Sequence, residues 1–91
     1  MEFDSVHNYY ERLVFDEIGE HYRNSELNEE QLADMACIAL NQIQPRYIRH
    51  DVDMSFFMSS AEYIMARDMV HKAVKNAYKK IRKYDRSEHG N

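Results

Sequence analysis

The stretch SSAEYIMARDMVHKAVKNAYKKIRKY, residues 59–84, decides the fold. Its apolar residues recur at spacings of three and four, which is the period of one face of an α-helix. They are Tyr63, Ala66, Val70, Ala73, Ala77, Ile81 and Tyr84. Ser59 and Glu62 stand in capping-box spacing at the start. The pattern predicts a long third helix over about residues 60–84, with a period close to a heptad repeat.

The length of this helix predicts a homodimer. Some 25 residues at 1.5 Å each give roughly 37 Å, which is longer than a domain of this size is wide. An apolar stripe that extends beyond its own domain needs a partner helix, and a second copy is the simplest one. We expect the dimer interface to use the third helix and the apolar segment before it. The residues proposed for this interface are Phe56, Phe57, Met58, Tyr63 and Val70.

A first helix is predicted over about residues 5–22, where apolar residues form one stripe at three- and four-residue spacing. Ser5 or Asn8 is placed to cap its start, because short polar side chains accept hydrogen bonds from the free N–H groups there. A polar connection without a period follows over residues 23–31.

A second helix is predicted over about residues 29–43. Asn28 and Gln31 have capping-box spacing at its start. Pro45 ends it, because the residue before a proline is pushed away from helical angles. Residues 46–58 have no helical period, so we expect a short strand or an extended crossing segment there.

The composition agrees with one small all-α domain. The chain has 91 residues, 44% of them hydrophobic, which is typical of a single folded domain. Two glycines and one proline are too few for the turns of a β-sandwich or barrel. The sequence has no apolar run of about 18 residues and no basic, apolar signal peptide. We therefore expect a cytoplasmic three-to-four-helix domain over residues 1–91, with a frayed tail at 86–91 and no membrane contact.

The net charge of −4 is unevenly distributed. Residues 1–34 carry ten acids and two bases, whereas residues 67–86 carry eight bases and two acids. The two ends attract each other within one chain or between two chains. Solvated helix faces and an anionic partner for the basic end both explain the pattern. Nucleic acid is disfavoured as that partner, because few polar base-reading side chains stand among the lysines.

The sequence lacks the usual signatures of catalysis and of metal binding. Cys37 is the only cysteine, which excludes an internal disulfide and a multi-cysteine zinc site. With two glycines there is no phosphate-binding loop. His50, Asp51 and Asp53 are the densest group of potential metal ligands, but surface acids before an apolar segment are the commoner explanation of such a group. We expect no enzyme, no cofactor and no metal.

A group of polar side chains directly follows Pro45. It consists of Arg46, Tyr47, Arg49 and His50. Arginine pairs with phosphate through two parallel hydrogen bonds, and tyrosine offers a stacking face and a hydroxyl. A ligand with phosphates and bases needs these types close together. In the structural alternative, Tyr47 packs in the core and the arginines pair with Asp51, Asp53 or the acidic first helix.

Two segments resemble patterns of the late-competence ComFB family. Residues 8–14, NYYERLV, resemble N-x-x-E-x-L-V, and residues 34–47, DMACIALNQIQPRY, resemble D-x-x-x-x-A-L-N-x-L-x-P-x-Y. The resemblance extends over roughly residues 6–80. It implies a small all-α fold that dimerises and a non-enzymatic regulatory role in bacteria.

The resemblance also implies a ligand. Some members of the family bind cyclic di-GMP, and in some cases cyclic di-AMP, in the control of pilus motility and competence. Here Arg46 and Arg49 are expected to hold phosphates, Tyr47 to stack on a base, and Asn41 to hydrogen-bond a base edge or the loop. Asn8 and Glu11 match the family opening and are expected to face the same place. Asn8 is alternatively a helix cap, and Glu11 a partner of Arg46.

Other members carry a four-cysteine zinc site between the first two helices, and this chain has no cysteine in that connection. Zinc is therefore not expected. Two other functions stay open from the sequence. One is a ligand-free dimeric interaction module that uses the long helix and the patch at 56–58 to bind a downstream protein or its own copy. The other is a nucleic-acid-binding dimer that uses the basic end.

Overall fold

A computed structural model of the chain describes residues 1, 3–49 and 58–89, and the side chains among these as far as Tyr84. The elements in chain order are β1 (His7–Asn8), α1 (Tyr10–His21), α2 (Glu29–Asn41), β2 (Tyr47–Ile48) and α3 (Ser60–His89). This mostly helical architecture with a long C-terminal helix confirms the prediction. The two short strands are an addition to the expected all-α fold.

Helix α1 begins at Tyr10, five residues after the predicted start. Residues 7 and 8 are extended instead and pair antiparallel with β2, His7 opposite Ile48 and Asn8 opposite Tyr47. Val6, just before this segment, fits the spacing of the apolar stripe, which is why the periodicity places the start too early. The pairing partner lies about forty positions further along the chain, so no local pattern indicates it.

The other helix starts agree with the sequence. Asn28 Oδ1 accepts from the backbone N–H of Gln31 at 2.8 Å, and Gln31 Oε1 accepts from that of Asn28 at 2.9 Å, so the capping box is confirmed. Helix α2 ends two residues earlier than predicted, at Asn41. Helix α3 extends five residues further, to His89, so the expected tail is helical as far as that residue. The reason is that residues 85–89 include neither glycine nor proline.

The core lies where α3 packs against α1 and α2. Its largest fully buried side chains are Val14, Met35, Val70 and Val74. The middle of the predicted stripe of α3 is buried, whereas Tyr63 and Tyr84 at its two ends are exposed. The stripe therefore extends beyond the two helices that cover it. None of the described helices is long and apolar enough to span a membrane.

Candidate functional site

Asn8 connects the start of α1 to the chain that follows α2. Its side chain is buried at 7% exposure, and Oδ1 accepts hydrogen bonds from the backbone N–H groups of Tyr10 at 3.2 Å and Arg46 at 3.0 Å. The first bond satisfies a donor at the beginning of α1, which is the capping role that the sequence allows for Asn8. The second holds a segment 38 residues away in the chain.

The backbone of Arg46 is held on both sides. Its N–H donates to Asn8, and its carbonyl oxygen accepts from the N–H of Tyr9 at 2.7 Å. Glu11 reinforces the arrangement, since its Oε2 accepts from the N–H of Asn8 at 3.2 Å. Among the described residues, no carboxylate lies within ion-pair distance of the Arg46 guanidinium. Glu11 therefore orders the backbone and does not pair with Arg46.

The side chain of Arg46 lines two neighbouring cavities. The larger has a volume of about 550 Å³ and is mostly apolar, with Tyr10, Met58, Met65, Ala66 and Met69 in its wall. The smaller has about 400 Å³ and shares Tyr10, Arg46 and Met69 with the larger, adding Gln44 and Pro45. Both volumes lie in the usual range for small-molecule sites, which are largely apolar with a few polar groups.

Charge in the larger cavity is partly neutralised. Lys72 pairs with Asp68 at 3.0 Å, one helical turn earlier on α3. Glu62 is the third charged group of α3 in the wall. Its backbone N–H donates to Ser59 Oγ at 3.1 Å, and its carboxylate accepts from the Ser59 hydroxyl at 3.3 Å. Arg46 is the lining cation that lacks a carboxylate partner in the described part of the chain. The cavity is thus suited to an anionic group attached to an apolar or aromatic body.

The remaining predicted ligand residues lie outside these cavities. Tyr47 on β2 is 68% exposed, so the structural alternative, in which Tyr47 packs in the core, is wrong. Arg49, just after β2, and Asn41, the last residue of α2, are also exposed. Successive side chains of a strand point to opposite faces, which separates Tyr47 from Arg46. The structure therefore brings Asn8, Glu11 and Arg46 together and leaves the other three at the surface around them.

The expected dimer residues differ in accessibility. Phe56 and Phe57 lie outside the described residues, as do His50, Asp51 and Asp53. Met58 lines the larger cavity, where its sulfur accepts from the Tyr9 hydroxyl at 3.6 Å. Tyr63 is 43% exposed, whereas Val70 is 1% exposed and packs within its own chain.

Sequence reasoning missed the methionines of the cavity wall. Met65 and Met69 are spaced four residues apart on α3, beside the stripe that forms the core. This second apolar row could have indicated a further apolar surface, because a helix that packs on one side alone needs just one apolar stripe.

Two acidic residues of the first third of the chain contact polar side chains of α3, and one of these contacts, Glu26 with Arg82, is an ion pair with the basic end. Glu17 on α1 is buried, and its Oε2 lies 2.7 Å from His71 Nδ1 of α3, with His21 Nε2 at 3.7 Å. Glu26, in the connection after α1, accepts from the Tyr78 hydroxyl at 2.7 Å and lies 3.4 Å from Arg82 Nε. The hydrogen bond from Tyr78 lowers the pKa of Glu26 below its ordinary 4.5, and the same bond raises the pKa of Tyr78 above 10.0.

Comparison with known proteins gives one match. The family model described as late competence development protein ComFB matches residues 7–85. No curated protein and no solved structure matches the chain significantly. The matched range begins at β1 and ends inside α3, so it includes the Asn8–Arg46 contacts and the residues of both cavities.

Proposed function

Because the chain belongs to the late competence development protein ComFB family, we propose that it is a non-enzymatic, competence-related regulator that binds a cyclic dinucleotide beside Arg46. In this proposal the ligand is cyclic di-GMP or cyclic di-AMP, and the bound state is relayed to a downstream protein in pilus, motility, competence or biofilm control. The protein acts as a homodimer.

One observation carries the proposal. The Arg46 guanidinium lines cavities of about 550 and 400 Å³ without a carboxylate partner among the described residues, while its backbone is bonded on both sides. The structural alternative pairs Arg46 with Glu11, but Glu11 accepts from the backbone N–H of Asn8 instead, which leaves the guanidinium available to an external anion. A fixed backbone and an unpaired guanidinium are what a phosphate site requires.

The other residues take different roles in the proposal. Asn8 and Glu11 position Arg46, because their acceptor oxygens already receive backbone hydrogen bonds. Tyr47, Arg49 and Asn41 are exposed outside the cavities. They contact the second half of the ligand, where Arg49 holds the other phosphate and Tyr47 stacks on a base. A dimer doubles this set by symmetry, which suits a ligand that is itself two-fold symmetric.

The test is calorimetric titration of the purified protein with cyclic di-GMP, cyclic di-AMP and GTP. We expect saturable binding of a cyclic dinucleotide and none of GTP. A charge-assisted hydrogen bond contributes about 1.5–3 kcal/mol, so Arg46→Ala should weaken binding roughly 10- to 150-fold. Arg23→Ala is the matched control, since Arg23 is equally exposed and lines neither cavity.

The absence of binding with all three nucleotides would reject the proposed ligand and favour the ligand-free interaction module. Lost stability of Arg46→Ala with unchanged ligand affinity would show that Arg46 is structural. Light scattering at micromolar concentration tests the dimer separately, and a monomer mass would reject it.

A further inference from the structure

The outward face of α3 is divided along its length into an apolar half and a basic half. At 100° per residue, Ile64 and Met65 share this face with Lys75, Lys79 and Lys83. Ile64 is 66% exposed and Met65 70%, and the three lysines are exposed as well. This face is opposite the alanine-rich stripe that packs on α1 and α2, so it does not contribute to the core.

The lysine row has no partner among the described residues. Three other cations of α3 have a partner: Lys72 pairs with Asp68, Arg82 with Glu26, and Arg67 donates to the Tyr63 hydroxyl at 3.3 Å. Lys80 is also without one among the described residues, but it lies about 100° away from Lys79. Lys75, Lys79 and Lys83 follow one another at intervals of four, where like charges on a helix repel. Solvent and salt screen this repulsion in part, and an external anion would replace it with attraction to all three lysines.

We propose that this face binds an acidic helical segment of a partner protein. The distance from Ile64 to Lys83 is 19 residues, or roughly 28 Å of helix, and a partner helix of similar length covers both halves. Carboxylates are favoured near the N-terminus of such a helix by its dipole. An antiparallel partner therefore places an acidic N-terminal half against the lysines and an apolar C-terminal half against Ile64 and Met65.

Two other polyanions fit the face less well. A nucleic acid would contact the lysines but would leave the apolar half unused, and no described aromatic side chain stands in the lysine row to stack on bases. A helix that lies on a lipid surface keeps its apolar residues on one side along its whole length. Here the apolar and basic residues follow one another along the same side. Met65 also lines the larger cavity, and the Asp68–Lys72 ion pair of its wall lies between the two halves of this face. The docking is therefore tested on the protein without added cyclic dinucleotide.

Fluorescence anisotropy on the full chain tests the proposal. The probe is a labelled 19-residue helical peptide with glutamates in its N-terminal half and leucines in its C-terminal half, both on one face. We expect saturable binding that weakens with added salt, and at least fivefold weaker binding of a peptide with the same composition in scrambled order.

Single variants on α3 locate the site. Lys79→Glu should weaken peptide binding about tenfold, because it replaces an attraction with a repulsion. Lys80→Glu is the matched control: it makes the same charge change on an exposed lysine about 100° away, and should stay within about threefold. Ile64→Gln should weaken binding about fivefold through lost apolar contact. Circular dichroism checks that each variant is folded.

Several results would overturn the proposal. The first is the absence of saturable peptide binding, and the second is an equal effect of Lys79→Glu and Lys80→Glu. The third is tighter binding of a 20-base-pair DNA or of anionic phosphatidylserine vesicles that depends on Lys79 but not on Ile64. Self-association of the protein that Ile64→Gln and Lys79→Glu abolish would assign the face to a second copy instead.

Discussion

Replacing Asn8 with alanine should lower the stability of the fold strongly, although the substitution removes only a few side-chain atoms. The variant leaves the backbone N–H groups of Tyr10 and Arg46 without their acceptor. An unsatisfied buried donor costs about 1–3 kcal/mol, and a lost hydrogen bond that water can replace costs about 0.5–1.5 kcal/mol. Tyr10 is buried and Arg46 is exposed, so one cost of each kind applies. Together they amount to about 1.5–4.5 kcal/mol of the free energy of unfolding.

Thermal and urea unfolding followed by circular dichroism measure this loss. For a domain of 60–100 residues each kcal/mol lowers the melting temperature by about 4–8 °C, so we expect a decrease of roughly 6–36 °C. Asn8→Asp is the first control, because it keeps the acceptor oxygen and its charge lies at the N-terminus of α1, where the dipole favours it. Asn41→Ala is the second, since Asn41 is exposed, and it should change stability by less than about 0.5 kcal/mol.

The result that would refute the reasoning is a loss below about 0.5 kcal/mol in Asn8→Ala, equal to that of Asn41→Ala. It would mean that neither hydrogen bond stabilises the fold and that Arg46 is held in some other way. If the loss is as large as expected, the same variant should also weaken ligand binding at temperatures where it is folded, because the segment that carries Arg46 is no longer anchored.

Three further outcomes follow from the packing and the pKa shifts. Tyr78→Phe removes the hydrogen bond that lowers the pKa of Glu26 and raises that of Tyr78. The stability difference from the wild type should therefore shrink as the pH falls below about 4.5, where the Glu26 carboxylate becomes protonated, and as the pH rises above 10.0, where Tyr78 begins to lose its proton. Urea unfolding across pH measures both changes. Met35→Ala, at a fully buried position, should cost about 2–5 kcal/mol in the same assay. His71→Ala removes the closest partner of the buried Glu17 carboxylate and should cost about 1–3 kcal/mol, whereas His71→Gln should recover part of the loss by donating a hydrogen bond.

Local patterns were sufficient to predict the helices. The capping box of α2 joins residues three apart, and the stripe of α3 repeats every three or four residues, so both signals lie within a few residues of the structure that they specify. Two other segments, residues 8–14 and 34–47, resembled the ComFB family, and the match of the family model to residues 7–85 confirms that prediction. Helix ends were less accurate because they depend on what the flanking residues contact. Val6 fits the spacing of the apolar stripe of α1. Residues 7 and 8 are nevertheless extended, since β2 offers them backbone partners.

The candidate site could be predicted in part from the sequence, and the rest required the tertiary structure. Residue chemistry alone selected Arg46, because a guanidinium and an aromatic ring after a proline suit a phosphate-bearing ligand. Only the tertiary structure decided that Asn8 would hold the backbone of Arg46, that Glu11 would bind the N–H of Asn8 in place of the guanidinium, and that Met65 and Met69 of α3 would complete a cavity beside it. The physical reason is distance along the chain. A cap or a stripe is decided by neighbours within one or two turns, whereas this cavity forms from segments that meet only after α3 has packed on α1 and α2.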